Sequence, residues 1–424
     1  MKTVYLNFLI HQPYRLNHFP FFKIGSGKEY FNESLNASIL KDESYRYLKL
    51  NRHLLQLIRK HSGKFKLNFC ISGTALDQFV SYAPEMVKSL RALSKTGSVE
   101  FVGTTHGNSF AALASREEFA AQVKAHSKKI EELFGMKPKV FLLPKCTFTE
   151  VIEEILFSQG FEKIIFGEDG PKPEMETANH VFKSPNHEGL YLSGINKSLS
   201  DPLNILVEAD PKKAFPPSPE EYLDRILSLP ETEPLAHLNL NYAHFGRYLQ
   251  KGIKILEFWE KLVKLALERG IRFEKLSSLD DQKLGAQGPL IPNFHFHSDQ
   301  KDKELHTYLG NYLQQEAFSS LYGLEDQIKA LGNPSLLKAW LYLQSIDHFY
   351  YMNTDYPNSL FPSPIFSPYE NPFQAFITFM NVLTDLKIQV EKASTLRKSR
   401  FQDLPYSSKT ILQESKPQNR SMIS

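Results

Sequence analysis

The sequence predicts an α/β protein, a parallel barrel or doubly wound sheet, followed by a purely helical region. Through the first two thirds of the 424 residues, short apolar strand-like runs alternate with segments of helical apolar spacing. They make about seven strand–helix units without hairpin signals. From about Asp302 onward only the helical spacing remains.

The elements follow in order. Val4 to Leu9 is a strand, followed by a loop to about Asn36. Leu48, Leu54, Leu55 and Ile58 set a helix over Tyr45 to His61. Lys66 to Ile71 and Val99 to Gly103 are strands, with a helix from Pro84 to Lys95 between them. Ser115 is placed to cap a helix running from Arg116 to Phe134, with Glu118 completing a capping box. Lys139 to Leu143 is a strand, Thr149 to Gln159 a helix, and Lys163 to Phe166 a strand. Pro171 to Pro219 is loop-rich, with a strand near Ile205 to Glu208. Helix Glu220 to Leu229, strand Ala236 to Asn241, helix Gly252 to Arg269 and a short strand at Ile271 to Phe273 complete the alternation. Three helices are expected beyond it, over Asp302 to Leu331, Pro334 to Phe349 and Pro372 to Glu391. From Ala393 the chain is polar and reads as a flexible tail.

Composition narrows the function classes. Hydrophobic residues are 42% and charged residues 23%, as in an ordinary globular protein. A net charge of +3 spread over this length gives no nucleic-acid signature. No apolar run approaches the roughly 20 residues that span a bilayer. Two cysteines, Cys70 and Cys146, and a start that reads as a strand rather than a signal peptide suggest a reduced cytoplasmic protein. His295 and His297 have period-two spacing, but no third ligand follows at a recognisable spacing, so no metal or cofactor is expected.

Five segments carry the chemistry. His11-Gln12-Pro13, with Tyr14 and Arg15, ends the first strand. Gly97 to Phe110 holds His106 and Asn108 just beyond a strand. Lys137 to Cys146 ends a strand near Lys145. Leu238 to Gly246 reads Leu-Asn-Leu-Asn-Tyr-Ala-His-Phe-Gly. The last is Ser345 to Met352, containing Asp347 and His348, followed by Phe366 to Phe376 and Phe379 to Leu383.

In this order the segments resemble glycoside hydrolase family 57, the α-amylase-like glucan enzymes. The resemblance implies an incomplete (β/α)7 TIM-like barrel over residues 1–285, a helical domain completing the site over 286–392, and a tail over 393–424. It implies an α-glucan or maltooligosaccharide ligand, contacted by His11, Gln12, His106, Asn108, Tyr242, His244, Asp347 and His348. It also locates two catalytic positions. The family nucleophile is a glutamate just past the fourth strand, and the ungapped register from Val140-Phe141 to Gly160-Phe161 puts Lys145 there. The family acid/base precedes the tyrosine that is Tyr242 here, and this chain has Asn241.

A retaining glycosidase uses one carboxylate as nucleophile and a second carboxyl group to protonate the leaving oxygen. A lysine cation repels a developing oxocarbenium ion, and an amide has no proton to give near neutral pH. The expected function is therefore a family 57 protein that keeps glucan recognition and has lost hydrolysis. One alternative is an active glycosidase or glucanotransferase using a displaced acid such as Glu150, Glu168 or Asp169. Another is a protein-interaction scaffold without sugar affinity.

Overall fold

The computed structural model describes residues 1–143, 148–167, 179–204, 217–279, 303–355 and 367–402, apart from the side chains of 303, 304 and 398–402. Lys145, Cys146, Glu168, Asp169, His295 and His297 lie outside the described residues, as does the strand expected at Ile205 to Glu208.

Nine strands are described: β1 Thr3–Ile10, β2 Leu67–Ile71, β3 Val99–Val102, β4 Val140–Leu142, β5 Lys163–Phe166, β6 Val181–Lys183, β7 Tyr191–Gly194, β8 Leu235–Asn241 and β9 Arg272–Phe273. The order β3-β2-β1-β8 forms one parallel set, with β9 also parallel to β1. The order β4-β5-β7 forms a second parallel set, which ends in β6. A parallel bridge from Gly103 to Phe141 joins the two sets into a barrel wall. Glycine is required at 103, because a Cβ there would lie 2.7 Å from the Phe161 ring and 3.3 Å from Phe141.

The wall is an incomplete (β/α)7-type barrel. The free edge of β8 is closed by a short segment instead of another ladder. Asn196 N–H donates to the His237 carbonyl at 2.9 Å, and Asn239 N–H donates to Ser200 Oγ at 3.1 Å. Asn204 imitates a strand residue with its side chain. Its Oδ1 accepts from Asn241 N–H at 2.8 Å and its Nδ2 donates to the Asn239 carbonyl at 2.9 Å. Edge groups that would otherwise be left unpaired are thereby satisfied.

Strand parity separates two surfaces. Val4, Leu6 and Phe8 of β1, with Ala236, Leu238 and Leu240 of β8, join the layer between sheet and helices. Tyr5 and Leu9, with Leu235, belong to the cluster inside the barrel. Asn7 and Asn239 share that inner parity and hydrogen-bond each other at 2.8 Å. Phe8 anchors the outer layer, with Phe69, Tyr242, Phe245 and Trp259 at ring separations of 5.6, 5.1, 5.8 and 5.7 Å. Burying one such ring contributes roughly 1.5–3 kcal/mol.

Several elements differ from the sequence reading. The first long helix spans Glu33–Lys60, capped by Asn32, and starts well before Tyr45. Its first half hides its apolar stripe because Glu43 and Arg46 are buried there as an ion pair at 3.1 Å. Gly73–Tyr82 and Tyr242–Gln250 are further helices. The loop-rich region contains a hairpin, with β6 antiparallel to β7, so the wall is not built from strand–helix units alone. Ser115 caps Arg116–Phe134 through Glu118 N–H at 3.1 Å, but Glu118 does not return the bond. Its carboxylate instead holds Lys329 at 2.9 Å and Gln122 at 2.9 Å.

The C-terminal helices are Lys303–Leu309, Tyr312–Tyr322, Glu325–Leu331, Pro334–Leu343, Ile346–Tyr350 and Pro372–Gln402. The last extends past Glu391, into the stretch read as tail. These helices share a core that includes Phe110, Trp340, Phe349 and Phe379. No helix among the described residues is long and apolar enough to cross a membrane.

Candidate active site

The C-terminal ends of the parallel strands form one rim, the place where barrels of this kind keep their chemistry. His11 follows β1 and Ser72 follows β2 on this rim. Ser72 caps the Gly73–Tyr82 helix through Ala75 N–H at 3.2 Å. His11 Nδ1 lies 2.7 Å from Ser72 Oγ, and its Nε2 lies 2.6 Å from Asp347 Oδ2. Ser345 Oγ donates to the same Asp347 oxygen at 2.8 Å. The barrel and the helical region thus meet in a Ser72–His11–Asp347–Ser345 chain of side chains.

Burial works to raise the Asp347 carboxyl. The His11 imidazole and the Ser345 hydroxyl outweigh it and hold the group well below the usual carboxylate range. Both contacts fall on Oδ2, and the side chain is 24% exposed, so Oδ1 retains lone pairs for a ligand hydroxyl.

The main chain sets this geometry. The helical spacing read over Pro334 to Phe349 breaks at Gln344-Ser345, where Ser345 forms an antiparallel bridge with Ser109. Ile346 N–H donates to the Asn108 carbonyl at 3.1 Å. Asn108 adopts a left-handed backbone with φ of 50° to present that carbonyl. An asparagine tolerates that region better than most residues. Asn108 therefore has a clear backbone role beside the site.

Asn241 ends β8 and caps the Tyr242–Gln250 helix, its Oδ1 accepting from Ala243 N–H at 3.0 Å. It stands on the rim with its acceptor already engaged. Tyr242 does not line the mouth. The chain turns from strand to helix between Asn241 and Tyr242, which sends the ring into the outer core. There its hydroxyl donates to Asn51 Oδ1 at 2.6 Å and burial raises its pKa. Tyr242→Phe is expected to lower unfolding stability by about 1–3 kcal/mol through the orphaned Asn51 acceptor. Sugar affinity should be unchanged, as checked by denaturant titration and calorimetry.

Gln12 and His348 are also more buried than a ligand contact requires. Gln12 Oε1 accepts from Arg15 at 3.1 Å, and its carbonyl accepts from Gln78 at 3.0 Å. His348 packs against Phe379, and burial pushes its imidazole down to about 4. His244 is held down to about 4 by burial and by Arg247.

His106 forms a separate group. Its Nε2 lies 2.9 Å from Asp77 Oδ2, and Lys129 reaches the other oxygen at 2.7 Å. Burial works to raise the Asp77 carboxyl, but His106 and Lys129 hold it at about 2. With Tyr342 these residues border an open recess of about 400 Å³. Tyr342 in turn stacks on Tyr14 at 3.8 Å.

Glu150 occupies the exposed first turn of the Glu150–Ser158 helix. No cluster of three or more potential metal ligands occurs among the described residues. Ser72, Asp77 and Asn204 were not singled out from sequence, and Ser345 was named only as the first residue of its motif. A serine directly after a strand, preceding Gly-Thr-Ala-Leu, is the one cap signal that could have marked Ser72.

Comparison with known proteins agrees with this architecture. Residues 5–283 match the model of glycosyl hydrolase family 57. A Methanocaldococcus jannaschii protein named "Putative alpha-amylase" is 26% identical, over 93% of this chain and 86% of its own length. Among solved structures, the GH57-type branching enzyme from Pyrococcus horikoshii superposes with a TM-score of 0.62 at 16% identity, covering 83% of this chain and 86% of that one. The alpha-amylase AmyC from Thermotoga maritima gives 0.56 at 12% identity, covering 90% and 92%. The rim geometry, the barrel and the family match over most of the wall lead to one conclusion: the chain belongs to glycosyl hydrolase family 57.

Proposed function

We propose that this family 57 chain binds α-glucan or maltooligosaccharide at the rim around His11 and Asp347 without hydrolysing it. The observation that carries the reading is the Asp347 carboxyl group, held by His11 and Ser345 and partly open, on the same rim as an amide at Asn241. A carboxylate with free lone pairs grips sugar hydroxyls, while an amide that caps a helix gives no proton. In the ungapped register Lys145 takes the nucleophile position, so both carboxyl roles are missing together. Residues 1–285 would form the barrel, and 286–392 would complete the site. Two cysteines in the whole chain favour a reducing cytoplasmic setting. Glu150 as a replacement acid is disfavoured by its exposed place on a helix.

Calorimetric titration with maltooligosaccharides should give saturable binding, and chromatography should show no shorter products. Asp347→Asn keeps the shape and removes the charge. Hydrogen bonds to a charged group contribute about 1.5–3 kcal/mol, so affinity should fall on the order of 10- to 100-fold. Absence of any binding heat would sink the glucan reading, and sustained release of shorter sugars would sink the claim of lost hydrolysis.

A further inference from the structure

From Phe19 to Tyr30 the chain forms a strap along one flank of the Pro372–Gln402 helix. The Phe19 carbonyl accepts from Asn381 Nδ2 at 2.9 Å. The Gly25 carbonyl accepts from Lys392 at 3.0 Å. Asp385 accepts from Gly25 N–H at 2.5 Å and from the Tyr30 hydroxyl at 2.6 Å. The strap is therefore fixed, yet it holds Phe21 71% exposed and Phe22 95% exposed. On the same helix, one and two turns before Asn381, Ile377 and Phe373 are 57% and 60% exposed. Their i, i+4 spacing continues the row that ends at Asn381.

At 150–250 Å² per aromatic side chain, these four residues present on the order of 500 Å² of apolar surface. Doubled across a two-fold axis it approaches the roughly 1,000 Å² that a specific interface needs. Phe21 and Phe22 stand at 80° to each other with centroids 6.0 Å apart, so they form a wedge rather than a flat platform for a sugar ring. Phe373 and Ile377 make a stripe. The exposed Lys23 flanks the wedge.

We infer that this face pairs with a second copy of the chain, the Phe21–Phe22 wedge of one protomer seated on the Phe373–Ile377 stripe of the other. A two-fold arrangement makes the contact reciprocal, so each protomer buries both its wedge and its stripe. The inference is independent of the glucan site.

Sedimentation velocity of the full chain between about 1 and about 100 µM should show a monomer–dimer equilibrium in the micromolar range. Phe22→Asp and Phe373→Asp should each weaken it at least about tenfold, roughly 1.4 kcal/mol, with unchanged circular dichroism. Ile377→Asp should weaken it likewise. A monomer throughout the range overturns the pairing, and so does a dimer indifferent to all three changes. Co-sedimentation with phosphatidylcholine–phosphatidylglycerol vesicles without self-association overturns it as well.

Discussion

With Lys145→Glu and Asn241→Asp combined, the protein is expected to begin releasing shorter sugars from maltooligosaccharides, where the native chain is proposed to release none. The two roles are complementary. A carboxylate that attacks the anomeric carbon achieves little if the leaving oxygen is not protonated, and the reverse holds as well. Each single variant should therefore stay at background. Acid–base assistance alone is worth about 10²–10⁴ in rate, which sets the scale separating the double variant from Lys145→Glu. The fold should tolerate the change at 241, because aspartate caps a helix as well as asparagine does. That cap also predicts a pH profile. A carboxylate accepting the Ala243 N–H is favoured in its ionised form, so the proton donor becomes more available, and turnover rises, as pH falls. Product chromatography across pH provides the check. An inert double variant that binds sugar as the native chain does would show that the register placing Lys145 at the nucleophile position, or the support around the two carboxyl groups, is wrong.

Acidification is the second large effect. Burial pushes the imidazole of His237 down to about 3 and that of His126 to about 4. His244 and His348 also sit at about 4. In the unfolded chain each ring titrates near about 6.5. Below that pH the unfolded chain takes up protons that the folded chain refuses, so stability is full above about 6.5 and is lost as pH falls toward about 4. At about pH 5 each ring costs about 2 kcal/mol, and four together about 8, against a total stability of about 5–15. The melting temperature should therefore drop steeply between about pH 6.5 and about pH 5, well above the range where carboxylates titrate. His237 isolates the cause. Neither of its ring nitrogens has a partner among the described residues, so His237→Leu removes a proton acceptor without breaking a hydrogen bond. That variant should recover about 2 kcal/mol at about pH 5 and change little near neutrality. A flat melting profile over this interval would refute the linkage.

The alternating strands and helices were legible because a short apolar run, bounded by polar turns, fits a strand covered on both faces and little else. The first half of the Glu33–Lys60 helix was not, because its inward face includes the Glu43–Arg46 ion pair where a periodicity argument looks for leucine. His11 and Asp347 were legible from their motifs, although nothing in the sequence specifies that they touch. Their contact depends on the Asn108 carbonyl and the Ser109–Ser345 bridge, which are main-chain features that side-chain patterns do not encode. Tyr242 misled for a related reason. Its neighbour Asn241 lies on the rim, and one residue at a strand–helix junction is enough to reverse the direction of a side chain.

The separation of His11 from Asp347 also bears on synthesis. The two residues in contact are 336 positions apart in the chain. At about 5–20 residues per second, the partner of His11 emerges from the ribosome roughly 15–70 s after it does. For that interval the nascent barrel has strands to pair but no carboxylate to orient His11. A sugar that needs Asp347 can engage only a chain extended past that residue, so ligand binding would report chains that carry the helical region rather than the barrel alone.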